Sequence, residues 1–495
     1  MPNYTRRAVR GAGIVFIMMV LSYFLGYLFR LILARELGVA SYGLVYGIIA
    51  LFGFFSIFMS LGLESALVKY IAEFRAKNKP EKIKGSIIIV LLSKLLLSVF
   101  VCGALILFSD LIASEYFNTP EASILIKIYA VGIIFSAIIT TLKASLQGFQ
   151  SMKYFSTVDF VKSIIVLCVT IPLLLLGFKE LAPILGFSLT WIVFLPLIYF
   201  PLLIGKVFPE FLRVKAELSK SLAKKLFRFG IPVTLAGLAG IIFGYTDTVL
   251  LTYFKSLKEV GLYNAAFPTM KLISVIGVAI TSVLFPISSE LWAKKRKDQL
   301  SRGLGMLYKY ILILIFPISL LMFLFPEIIL GILFGGEFKE AGNVLRILAI
   351  GYFINTLSGI NTTVLSGIGK PKKVSKIMLS GAALNLILNL ILIPIYGMNG
   401  AALSTLIAFI LIFILSLELK KYIQFILPWR DFLVIVSSGI LITVMAYLIK
   451  SVEFIGVWLK LAITVLAGTI IYILLLFLSK TLTFADIREI IKRIR

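Results

Sequence analysis

Runs of about twenty apolar residues recur from one end of this chain to the other, and one such run is long enough to cross a bilayer as a helix. Measured against that length, the sequence holds about fourteen candidate spans. They lie near residues 12–34, 42–63, 85–108, 122–145, 157–177, 183–205, 228–252, 262–287, 304–325, 342–366, 374–395, 400–419, 431–449 and 455–479. Of the 495 residues 60% are hydrophobic and 15% charged, against about 45–50% and about 25% in a soluble domain. Neither a water-soluble core nor a disordered chain fits that composition. The first span follows Arg6, Arg7 and Arg10 as a signal peptide would, but it lacks a small-residue cleavage site and reads as a retained helix.

The net charge of +26 comes from 49 Lys and Arg against 23 Asp and Glu. Its placement has a membrane explanation. Basic residues crowd every second connecting segment: Arg6–Arg10, Lys69–Lys84, Lys143–Lys153, Lys206–Arg228, Lys294–Arg302, Lys370–Lys376, Lys420–Arg430 and Lys480–Arg495. The intervening loop 109–121 carries Asp110, Glu115 and Glu121 and no cation. By the positive-inside rule the basic side is cytoplasmic, so both termini are expected there. Nucleic acid is not an expected partner, because no soluble basic domain exists to hold it. Segments 64–78, 208–225 and 484–495 read as amphipathic surface helices. Histidine is absent, which removes His-based catalysis, zinc sites and proton relays. Cys102 and Cys168 lie in apolar runs and are expected to be buried apolar residues. No phosphate-binding loop or dinucleotide fingerprint occurs, so no cofactor or metal is expected and the chain is read as a non-enzyme.

Three short segments recur at an offset of about 220 residues, the length of six spans. Ala72–Lys77 returns as Ser289–Lys294, Leu146–Phe149 as Leu365–Ile368, and Ser41-Tyr42-Gly43 as Gly261-Leu262-Tyr263. The expected organisation is therefore an amino-terminal lobe over 1–220 (spans 1–6), a second lobe over 221–428 (spans 7–12), and spans 13–14 with a cytoplasmic tail over 429–495. Six is an even number, so the two lobes share an orientation.

Four stretches resemble one family. They are Arg30–Gly38 followed by Tyr42-Gly43, Gly62–Ala66 running into Lys69–Arg75, Asp247–Leu250 followed by Val260–Tyr263, and Leu365–Pro371. The chain resembles the polysaccharide-transporter branch, the O-antigen-type lipid-linked oligosaccharide flippases, of the multidrug/oligosaccharidyl-lipid/polysaccharide exporter superfamily. The resemblance implies an all-α integral membrane protein, with two pseudo-symmetric six-helix lobes around a central cavity lined by spans 1, 2, 7 and 8. It also implies basic side chains for a substrate pyrophosphate. The drug-exporting branch often carries an acid in span 1; none is present here. The peptidoglycan-lipid flippases place several arginines in the first spans, whereas here Arg30 stands in span 1 with Arg35 just beyond it.

Ionisable residues within spans are costly and mark candidate sites. Lys271, well inside span 8, is the first candidate for an anionic ligand. Tyr263 and Asn264 precede it by about two helical turns and share its face. Arg30 is either a phosphate ligand or a snorkelling interfacial cation. Asp247, beside Tyr245, reads as a partner of Arg30 or Lys271, as a proton or sodium site, or as half of a buried structural pair. Glu64 ends span 2 and is expected to cap a helix or pair with Lys69. Asn355, Asn361, Asn385 and Asn389 read as interhelical glue. The expected function is alternating-access export of a polyprenyl-pyrophosphate-linked oligosaccharide. Expected partners are membrane lipids and an H+ or Na+ coupling ion. A monomer in the cell membrane is expected, and the alternative is an ion-coupled multidrug or metabolite antiporter.

Overall fold

The computed structural model describes residues 3–424, 429–451 and 457–482. The expected tail helix over 484–495 lies outside them. Among the described residues the chain is helical with no strand, and ten helices are long and apolar enough to cross a membrane. In chain order the elements are α1 (Asn3–Ser60), α2 (Leu63–Ala76), α3 (Pro80–Leu107), α4 (Ala122–Gly148) and α5 (Met152–Leu175). Next come α6 (Leu181–Val207), α7 (Lys220–Phe254), α8 (Leu257–Ala293) and α9 (Lys297–Leu324). The last are α10 (Gly342–Gly367), α11 (Pro371–Ser416), α12 (Trp429–Ser451) and α13 (Val457–Leu478).

Two of these helices each carry two of the expected spans. Spans 12–34 and 42–63 lie in α1, whose helical path breaks at Gly38 (φ 74°, ψ 174°). Spans 374–395 and 400–419 lie in α11, broken at Gly397 (φ 56°, ψ −134°). Only glycine adopts such positive φ values without strain, so one residue turns the chain where a loop was expected. The first surface helix exists as α2, with Leu63, Leu67, Tyr70, Ile71 and Phe74 buried along one face. The helix expected over 208–225 does not form. Pro209–Leu212 makes one short 3-10 turn, and α7 starts only after Ser219, whose Oγ accepts from the Leu222 amide at 3.2 Å. That cap, together with Pro209, fixes the helix start later than periodicity suggests.

Helix α3 shows how an apolar segment is sorted. Val90, Lys94, Ser98, Cys102 and Leu105 form its buried stripe, while Leu96, Phe100 and Leu107 are 71%, 77% and 81% exposed. Only lipid takes that second face out of water. Cys102 is buried as expected, but Cys168 is on the exposed face of α5, because that helix buries only a narrow stripe at Ser156, Val158, Val166 and Thr170.

The chain packs as two compact units. The first comprises Met1–Ala265, Leu333–Glu337 and Ala382–Ala401. Its core joins Leu44, Ile48 and Phe52 of α1 to Cys102 and to Ile126 and Tyr129 of α4. The second comprises Ala266–Ile332, Phe338–Gly381 and Ala402–Arg495. It buries Leu304, Tyr308 and Ile311 of α9, and the Tyr308 hydroxyl donates to Asn361 Oδ1 at 2.5 Å. Asn361 Nδ2 in turn donates to Ser416 Oγ at 2.9 Å, the interhelical role expected of it.

Candidate functional site

Within the first unit, a reciprocal glycine contact sets the geometry. A Cβ on Gly43 of α1 would lie 2.0 Å from the Leu257 carbonyl oxygen, and one on Gly261 of α8 would lie 2.1 Å from the Val39 carbonyl oxygen. Only two glycines let these backbones touch. The contact places Tyr263 and Asn264, on the next part of α8, beside Arg30 and Tyr42.

Arg30 sits in a cage of aromatic and carbonyl groups. Its guanidinium lies 3.9 Å from the centre of the Tyr46 ring. Its Nη1 donates to the Tyr42 hydroxyl at 3.5 Å and to the Asn264 carbonyl at 3.4 Å. The Tyr42 hydroxyl donates to that same carbonyl at 3.2 Å. Cation–π and carbonyl contacts hold the charge without cancelling it. No carboxylate pairs with Arg30 among the described residues, and its Nε and Nη2 make no hydrogen bond there. The expected pairing of Arg30 with Asp247 is therefore not made. A planar guanidinium with a free edge suits bidentate contact with a phosphate.

Asp247 anchors a second, adjoining cluster. It follows a π-helical turn, Ile242–Thr246, inside α7, and turns of this kind recur at functional sites. The turn aims the carboxylate inward, where it is 3% exposed. The Tyr263 hydroxyl donates to one carboxylate oxygen, and Asn389 Nδ2 to the other at 2.6 Å. Asn389 also donates to Asn385 Oδ1 at 3.2 Å, and Asn264 Nδ2 to Thr248 Oγ1 at 3.1 Å. Asn389 Oδ1 and Thr246 Oγ1 are buried and make no hydrogen bond among the described residues. Buried oxygens of that kind call for an explanation such as an ion or a water molecule. Tyr245 packs on α1 where Gly53 leaves room; a Cβ there would lie 2.3 Å from the ring. Adjacent residues of α8 thus link the two clusters, Asn264 touching Arg30 and Tyr263 touching Asp247.

The other expected residues lie elsewhere. The ammonium of Lys271, in the second unit, is exposed and lies 4.2 Å from the centre of the Phe267 ring. Tyr263 and Asn264 on the same helix are buried, so the three do not share one environment. Arg35 is exposed, and its Nε donates to the Leu333 carbonyl at 3.2 Å. Glu64 does not pair with Lys69, which lies 4.1 Å from the Phe229 ring centre. Its partner is Lys94 of α3, supported by Thr140 Oγ1, while Ser60 donates to the other carboxylate oxygen. Lys94 was legible as a cation ten residues into an apolar span, and its role escaped the sequence reading.

A model of the family described as polysaccharide biosynthesis protein matches residues 8–292, and the MatE model matches residues 232–391. An uncharacterized membrane protein of Methanocaldococcus jannaschii is 31% identical, over 99% of this chain and 99% of its own. A putative O-antigen transporter of Shigella flexneri is 25% identical, over 75% of this chain and 88% of its own. Among solved structures, a lipid II flippase in an inward closed conformation superposes with a TM-score of 0.72 at 18% identity, over 94% of this chain and 98% of that one. That likeness shows the fold.

Proposed function

Since the chain belongs to the polysaccharide biosynthesis protein family, in the polysaccharide-transporter branch of the multidrug/oligosaccharidyl-lipid/polysaccharide exporter superfamily, we propose that it flips a lipid-linked glycan. The cargo in this reading is a polyprenyl-pyrophosphate oligosaccharide, carried from the cytoplasmic to the outer leaflet of the cell membrane. The chain spans the bilayer about fourteen times with both termini cytoplasmic. The repeat-defined lobes, 1–220 and 221–428, alternate access, and spans 13–14 are appended to them.

The observation that carries this reading is the uncompensated guanidinium of Arg30. An anion arriving there meets a charge that is partly buried and already oriented. In a low-dielectric site such a contact is far stronger than in water. Arg35 is the further cation of the first unit proposed to meet the pyrophosphate. Asp247 and its unsatisfied neighbours are proposed to hold the coupling proton or sodium ion. The membrane potential adds about 2.3 kcal/mol per charge moved through 100 mV.

The test is headgroup accessibility in proteoliposomes carrying a fluorescent polyprenyl-pyrophosphate oligosaccharide and exposed to an external quencher. Flipping by the wild type is expected, with a loss of about tenfold or more in Arg30→Gln, the cost of one charge-assisted contact. Lys271→Ala run in parallel shows whether that ammonium belongs to the site. Absence of flipping, combined with ion-driven efflux of cationic dyes, would move the protein to the antiporter branch.

A further inference from the structure

A cavity of about 550 Å3 opens at the basic end of α7, within the first unit and apart from the Arg30 site. Its volume falls in the range of about 300–1,000 Å3 typical of small-molecule sites. Six side chains line it: Tyr70 from α2, and Ser221, Lys224, Lys225, Arg228 and Phe229 from α7. Three are cations and none is acidic. Lys224 and Arg228 make no ion pair or hydrogen bond among the described residues. Lys225 lies 4.5 Å from the centre of the Tyr70 ring and is paired with Glu73 at 3.1 Å. Glu73 is shared, since Lys77 also bonds it at 2.7 Å. Those two lysines hold its carboxyl below the usual range.

Like charges on successive turns of one helix repel, and packing alone gives no reason to collect them around a hollow. Two aromatic rings form an apolar wall beside the cations. Lys69 adds a further positive charge, 4.1 Å from the centre of the Phe229 ring. Beyond Arg228, α7 carries no charged residue until Asp247. The cavity is therefore at the depth where a lipid headgroup meets the hydrocarbon. A cationic hollow with an aromatic wall at that depth matches a phosphate whose ester arm continues into the bilayer.

We propose that this cavity is a second anion site, which takes the phosphate of a membrane lipid headgroup between Lys224, Lys225 and Arg228. Glu73 competes with that phosphate for Lys225, so occupancy loosens the only ion pair that Lys225 makes among the described residues. The site does not depend on what the protein transports, and its test involves no transport.

The experiment is native mass spectrometry of the purified full chain titrated with phosphatidylglycerol, with inorganic pyrophosphate as a soluble competitor. Lys224→Gln/Arg228→Gln should weaken lipid binding about tenfold or more, the loss of charge-assisted contacts. Glu73→Gln should tighten it about two- to threefold by freeing Lys225. Both variants alter exposed or partly exposed side chains, and an unchanged melting temperature checks their folding. Displacement of lipid by pyrophosphate would show that the cavity reads phosphate alone; binding of lipid without displacement would show that the ester arm contributes. Either result supports the site. Equal lipid binding by wild type and double variant would overturn it, and so would a Glu73→Gln variant that binds more weakly.

Discussion

Two cations within apolar spans of the first unit are handled in opposite ways. Lys94 is 4% exposed at its side chain and is paired directly with Glu64, with Thr140 supplying a further acceptor. Arg30 has no carboxylate among the described residues and is held by two tyrosines and one carbonyl. A neutralised pair has nothing left to offer an incoming anion. Its removal should therefore disturb folding. A caged but uncompensated cation carries an unmet charge, so its removal should disturb ligand binding. A cation inside an apolar span can serve structure or function, and the counter-charge decides which.

The most forceful way to break this contrast is Lys94→Met. It leaves the Glu64 carboxylate without its cation, and losing one partner of a buried pair costs about 3–5 kcal/mol. Glu64 is 31% exposed at its side chain, so water softens the penalty toward the lower figure. Thermal unfolding in detergent should show the loss. The double variant Glu64→Met/Lys94→Met should recover most of it, because two apolar side chains replace two charges. A double variant as unstable as the single one would mean that the pair contributes packing, and the contrast with Arg30 would fail.

How far this arrangement was legible follows the same line. Arg30, Asp247, Tyr263 and Asn264 stood out as polar groups in apolar runs, and they meet as two pairs, Arg30 with Asn264 and Asp247 with Tyr263. Spacing along one helix did not foresee that Tyr263 and Asn264 are buried while Lys271 is exposed. Nor did it predict which helices touch. For Glu64 the sequence suggests a helix cap or a pair with the nearby Lys69; it does lie in the first turn of α2, but its ion-pair partner, Lys94, is 30 positions away. Asn389 does join two helices, and the bond that joins them goes to Asp247, 142 positions away. Lys94 carried the same signal as Arg30. The glycine breaks at 38 and 397 escaped because a positive φ leaves no trace in hydropathy.

Asp247→Asn sharpens the comparison from the acidic side. The amide keeps the size of the carboxylate and can still accept from Tyr263, but one of its edges now carries an NH2 facing the Asn389 donor. A mismatch of that kind costs about 1–2 kcal/mol. If Asp247 serves a coupling ion and not Arg30, its effects and those of Arg30→Gln should add to within about 0.5 kcal/mol in stability. In the flipping assay, Asp247→Asn should lose its response to an imposed ion gradient while keeping basal flipping. Strong non-additivity would make Asp247 a remote counter-charge of Arg30, and the two cations would no longer differ in kind.

The smallest expected effect bears on the cage itself. Tyr42→Phe removes only the hydroxyl that donates to the Asn264 carbonyl and accepts from Arg30 Nη1. The ring remains, fully buried and 4.6 Å from that of Tyr46. Losing one neutral hydrogen bond, together with a 3.5 Å contact from Arg30 that adds little at that length, should cost about 0.5–1.5 kcal/mol in stability. The consequence for Arg30 is directional. With one acceptor gone, the guanidinium keeps the Asn264 carbonyl and the Tyr46 face but is less tightly oriented, so flipping should fall severalfold and not vanish. An inactive Tyr42→Phe would make the hydroxyl a direct ligand of the cargo. An unaffected one would mean that the aromatic face alone orients the charge, which is how a cation–π contact holds a cation while leaving its hydrogen-bonding edge to the substrate.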